Sequence, residues 1–147
     1  MRSGKDEVAF EPGNYGEWRP FSGYVNFNST EGYVRNALFT LEENGFVYWY
    51  RGTWLGGTWN GGIWESGMWH GGVWRRGKWM DGRWRGGTWL NGIWESGSWF
   101  GGVWENGVWR GGIWHGGTWR YGLWHGGRWK GGEFVDGWRV EDMVAGG

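Results

Sequence analysis

Residues 52–75 read GTWLGGTWNGGIWESGMWHGGVWR, and the spacing within this stretch decides the fold. Trp recurs at every fifth residue, and Gly stands two residues before each Trp. Extended outward, the register holds for Trp49, Trp54, Trp59, Trp64, Trp69, Trp74, Trp79, Trp84, Trp89, Trp94, Trp99, Trp104, Trp109, Trp114, Trp119, Trp124 and Trp129, with Phe134 in the next slot. The unit is x-Gly-x-Trp-x. Two residues after Trp the chain usually carries Gly, Asn, Ser or Asp (Gly56, Ser66, Asp81, Asn91, Asn106), the residue types that suit turns.

A period of five fits no helix, and Gly at this density opposes one. In an extended segment residues two apart share a face. Gly and Trp of each unit therefore point to one side and the residues flanking Trp to the other, with a corner before the next unit. Strand, corner and strand with one face always inward is the geometry of a β-solenoid (β-helix). Coils stacked at the strand spacing of about 4.8 Å would bring Trp above Trp in ladders. On this reading the chain is all-β and the register Trp residues with Phe134 form the core, with Gly making room for each ring. An antiparallel β-meander of short hairpins is the alternative.

The pentad spacing resembles the pentapeptide-repeat family, in which a small and a large residue two positions apart point inward. Gly52/Trp54 and Gly57/Trp59 fill those two places. That resemblance implies a quadrilateral β-helix with four units per coil. A second, shorter resemblance is to MORN repeats, whose Gly-x-Trp-x-x-Gly core matches residues 52–57.

The variable positions bear on coil length, with ten, fifteen and twenty residues open. Just before Trp, residues 63, 73, 93, 103, 113 and 123 are Ile, Val, Ile, Val, Ile and Leu; most of the intervening ones are polar. This ten-residue super-period, broken at Arg83 and Val108, favours ten or twenty. A twenty-residue coil would stack Glu65, Arg85 and Glu105 in one column and Arg75 on Glu95 in another. A fifteen-residue coil would pair Glu95 with Arg110. Together the patterns favour twenty, hence four units per coil and about four and a half coils. Val73, Ile93 and Ile113 would then line one outward face, a candidate assembly surface, because an exposed apolar stripe marks an interface.

Composition agrees with an ordered repeat. The chain has 147 residues with 35 Gly and 19 Trp, against an average Gly usage of about 7%. Disordered chains are poor in aromatics, and this one is rich in them. Residues 1–45 are not repetitive; a strand-like run at Tyr33–Leu41 is followed by a hairpin loop and a second run at Phe46–Tyr50. Residues 1–45 are expected to cap the array or to attach it to another protein. Residues 46–137 form the array, and residues 138–147 a C-terminal cap or tail.

No catalytic constellation is present, and the expectation is a non-enzyme without cofactor or metal. There is no Cys, so neither a disulfide framework nor a Cys zinc site arises. His70, His115 and His125 all follow Trp and should face outward, as should Glu65, Glu95 and Glu105. The Gly runs lack the trailing Lys-Ser/Thr of a phosphate loop. No apolar segment reads as a signal peptide or a membrane span, so a cytoplasmic or virion-associated protein is expected. The sequon Asn28-Ser29-Thr30 has no secretion signal to accompany it.

Charge is segregated. Residues 46–132 hold ten Lys/Arg against four Asp/Glu, whereas residues 1–45 hold four against seven. Arg75, Arg76, Lys78, Arg83 and Arg85 cluster and are candidate contacts to an anionic partner, nucleic acid or acidic glycan. The function expected is that of a rigid scaffold or decoration element in an assembly such as a phage particle, with protein partners or its own copies in a homo-oligomer. The alternative is a binding module for an anionic polymer.

Overall fold

The computed structural model describes residues 5–9, 34–42, 46–140 and 144–145. The chain is a parallel β-solenoid, preceded by an antiparallel pair formed by β1 (Lys5–Ala9) and β2 (Val34–Glu42). β2 pairs antiparallel with β3 (Val47–Trp54), the first strand of the array, with a register shift around Leu38, so the two runs expected on either side of a hairpin are paired strands. The loop residues 43–45, the N-terminal aromatic stretch with Trp18 and the sequon at Asn28 lie outside the described residues.

Beyond β3 each unit contributes a short strand ending at its Trp, and every one pairs in parallel with the unit fifteen residues away. Trp49 lies beside Trp64, Trp54 beside Trp69 and Trp59 beside Trp74. The expected coil of four units is therefore corrected to three, and the antiparallel meander is excluded for the array. Eighteen slots from Trp49 to Phe134 make six coils, a rod on the order of 25–30 Å long at the strand spacing.

The physical reason lies in the corners. The Gly two before the Trp slot of each unit, Gly52 through Gly137, has a positive φ, from 104° to 129°, a region that residues with a Cβ rarely adopt. The reversal it permits is sharp, and three such corners close a coil. It clears space for the ring as expected, since a Cβ on Gly107 would stand 3.1 Å from the Trp89 Nε1, but the tighter contact is with backbone. A Cβ on Gly72 would stand 2.2 Å from the carbonyl oxygen of Gly57 in the coil below, and one on Gly92 2.3 Å from that of Gly77. That oxygen is occupied: it accepts the N–H of the residue before Trp one coil up, as when Val73 donates to Gly57 at 2.9 Å. The second bond of each unit runs from the residue after Trp to the Trp carbonyl below, Glu65 to Trp49 at 2.7 Å. Asp81, Asn91, Asn106 and Asp136 satisfy the N–H of the following Gly at 2.7–2.8 Å, which accounts for the turn-forming residues at that position.

Inside, the indoles fill the three-sided section. Vertical neighbours are parallel and offset, with centroids mostly 4.7–4.8 Å apart (Trp79 and Trp94, Trp84 and Trp99). Chain neighbours meet edge to face, Trp89 and Trp94 at 5.8 Å and 71°. In the first coil Trp49, Trp54 and Trp59 all contact one another. Both arrangements are those that the ring quadrupole prefers. Every register Trp through Trp124 is fully buried, and Trp129 nearly so. Burial contributes roughly 4–6 kcal/mol gross per indole, taking about 25 cal/mol for each of some 150–250 Å². The cost is polar. The N–H of Trp69 reaches the Gly86 carbonyl at 3.1 Å, but those of Trp59, Trp64, Trp74 and others have no acceptor. An unmade bond costs about 1–3 kcal/mol, so burial outweighs it.

The columns end in other rings. Phe39 on β2 stacks beneath Trp49 at 5.7 Å, and Phe134 stacks on Trp119 at 5.7 Å. Beyond Phe134 the strand Trp138–Arg139 keeps the fifteen-residue spacing, but Arg139 takes the inward slot and lies over the Phe134 ring. The pair Arg128 with Val144 is offset by one more residue. Among the described residues no helix is long and apolar enough to cross a membrane.

Adjacent glycines separate the two demands on this residue. Gly71→Ala should leave stability within about 1 kcal/mol, since nothing lies within 4 Å of its Cβ. Gly72→Ala should lose about 3 kcal/mol or more through positive φ and the collision with Gly57. Urea unfolding midpoints of the two variants test this, and equal midpoints would refute it.

Candidate functional site

Every outward position now has a place on one of three faces. Face A carries the strands ending at Trp49, Trp64, Trp79, Trp94, Trp109 and Trp124. Face B carries those ending at Trp54, Trp69, Trp84, Trp99, Trp114 and Trp129, and face C those from Trp59 to Phe134. Because fifteen and ten share a multiple of thirty, the ten-residue super-period does not make faces unequal. It alternates residues up each face, as in Thr58, Val73, Thr88, Val103 and Thr118 on face C.

The assembly face expected of Val73, Ile93 and Ile113 is not formed, since they stand on C, A and B respectively. The expectation rested on a twenty-residue coil. A different apolar ladder appears instead. Val108, a break in the super-period, stands on face A between Ile93 and Leu123, and Trp138 follows Leu123. Ile93 is 37% and Trp138 66% exposed. Val140 and Val135 are also exposed near that end. Lower on face A, Ile63 is followed by Lys78, which pairs with Glu95 at 3.6 Å.

The basic cluster is likewise redistributed. Arg75 and Arg76 stand at the corner between C and A, Lys78 on A, and Arg83 and Arg85 flank Trp84 on B. Together they ring one coil rather than line one side. The stack of Glu65, Arg85 and Glu105 is not formed, nor is Arg75 on Glu95. Glu95 instead meets Arg110 at 3.4 Å, the pair that a fifteen-residue coil makes, and Arg120 meets Glu105 at 3.3 Å. These pairs are largely exposed and contribute about 1 kcal/mol or less each. On face A the Tyr48 hydroxyl donates to Glu65, and this bond, ahead of burial, raises the Tyr48 pKa.

Face B gathers chemistry that the sequence did not bring together. Up the corner column stand His70, Arg85, Phe100, His115 and Lys130. Phe100 and His115 are stacked at 4.4 Å and 8°, with the Arg85 guanidinium 5.9 Å from the Phe100 centroid. The corner beside this column is Gly throughout: Gly56, Gly71, Gly86, Gly101, Gly116 and Gly131. That fifteen-residue recurrence was the signal of coil length available in the sequence. Among the described residues no group of three His or carboxylate side chains is placed to hold a metal. No family model, no curated protein and no solved structure matches the chain.

Partial burial, and then the nearby Lys130 charge, lower the His115 pKa below its usual 6.5. The unfolded chain thus binds this proton more tightly than the folded one. Stability falls as pH drops through about 6.5 towards the folded pKa and levels off below it. Lys130→Ala should move the His115 titration, followed by the imidazole proton resonances, upward towards the usual value. An unchanged or lower midpoint would show that Lys130 does not act on it.

Proposed function

We propose that the protein is a non-enzymatic structural element, a rigid rod that takes its place among copies of itself in a larger assembly through face A. The observation that carries this reading is the ladder Ile93, Val108, Leu123 and Trp138, apolar on consecutive strands and continuous with exposed Val140. A stack whose interior is packed with indoles resists bending, which suits a scaffold or decorating role in a particle. The five-residue period and parallel pairing also support a distant relation to pentapeptide-repeat solenoids, with three units per coil in place of four.

The size of the face sets the strength expected. Six strands at about 4.8 Å and three residues of width cover roughly 300 Å². That is well below the roughly 800 Å² per partner of a stable pair. One contact is therefore weak, and the rod is held by repeated contacts in an array rather than as an isolated dimer.

Sedimentation velocity over a concentration series should show a monomer at low micromolar concentration and reversible association at several hundred micromolar. Val108→Arg and Leu123→Arg should weaken that association at least tenfold, while Val73→Arg on face C leaves it unchanged. A wild-type chain that stays monomeric throughout, or face A variants that associate as well as wild type, would overturn the proposal.

A further inference from the structure

Face B carries a second, chemically different surface. Arg83 and Arg85 flank Trp84, and Arg128 and Lys130 flank Trp129. Within each rung the two backbone positions lie about 6.6 Å apart, two residues along an extended segment. The rungs are three coils apart, about 14 Å along the rod at the strand spacing. All four side chains are exposed. No carboxylate occupies the outward positions of face B from Thr53 to Lys130; Asp81, at the corner before it, is turned to the Gly82 N–H. Faces A and C, in contrast, interleave their cations with Glu65, Glu95, Glu105 and Glu133. The adjoining corner is bare although nothing steric requires it. A Cβ at Gly71 would meet nothing within 4 Å, and one at Gly86 or Gly101 only a carbonyl at 3.7 Å.

We propose that face B binds the phosphate backbone of double-stranded nucleic acid without reading its sequence. The cations and the bare corner call for a rigid polyanion that approaches broadside. Single strands are held by a basic groove together with stacking of their bases on open aromatic faces. On face B both faces of Phe100 are taken, since it lies between Arg85 and His115. What remains outward are ring edges and guanidinium donors, which suit phosphate oxygens. A duplex turns its bases inward and offers phosphates on either side of a groove about 12 Å wide. The two rungs, about 14 Å apart with flexible side chains, can each take one side.

The test is fluorescence anisotropy with the full chain, a labelled 20-base-pair duplex, a dT20 single strand, and heparin as competitor, across a salt series. Four phosphate contacts predict a slope of log K against log salt of about −3.6, or roughly a hundredfold loss between 50 and 200 mM. Arg83→Ala with Arg85→Ala should flatten the slope by about two, whereas Arg75→Ala with Arg76→Ala, the same charge change at another corner, should not. Arg83→Lys with Arg85→Lys should keep most of the binding, and unchanged unfolding midpoints establish that the variants are folded. Absence of duplex binding at 50 mM salt overturns the proposal. So does binding of dT20 or heparin as tight as the duplex, or an equal loss in the Arg75 and Arg76 variant.

Discussion

The carbonyl of each corner Gly points along the rod into the place where the Gly one coil above would carry its Cβ. Across the array that imagined carbon would lie 1.9–2.5 Å from the oxygen below. The same glycines hold a φ that side chains disfavour. Two independent constraints thus exclude every other residue at one position in five. In return the backbone reverses within a few atoms and still makes two inter-coil hydrogen bonds per unit. The tightness of that corner sets three units per coil, and the number of units sets which side chains become neighbours.

The indole core depends on the same constraint. A narrow three-sided section leaves one inward side chain per unit, and Trp is flat and large enough to fill it. Stacking along the axis and edge-to-face contact around it are satisfied together only because the rings repeat at the strand spacing. The price is a set of N–H groups pressed against close-packed backbone: a Cβ at Gly107 would lie 3.1 Å from the Trp89 Nε1. Area burial decides the balance in favour of Trp.

With the interior filled by indoles, the outward columns are what meets solvent, and there the coil length does the sorting. Val108 and Arg83 look like interruptions in a line of sequence. On the solenoid the first completes an apolar ladder between Ile93 and Leu123, and the second joins Arg85 in a rung of two charges. Face C, with alternating Thr and Val, carries neither property.

The sequence by itself determined the strand class, the inward Trp set and the absence of any helical organisation. An invariant Gly-x-Trp pentad leaves the backbone only one repeating path, and each unit dictates its own conformation locally. It did not yield the three-unit coil, although the Gly-Gly corners at residues 56, 71, 86, 101, 116 and 131 recorded it. The super-period of the outward residues pointed to ten or twenty, and with the charge columns to twenty, because outward side chains contribute little to closing the coil. Ladder partners are fifteen residues apart in sequence and about 4.8 Å apart in space, and only the closing angle of the corners relates those two distances. The tertiary structure alone therefore decided that Val73, Ile93 and Ile113 part company, that Glu95 meets Arg110, and that Phe100 comes to rest on His115.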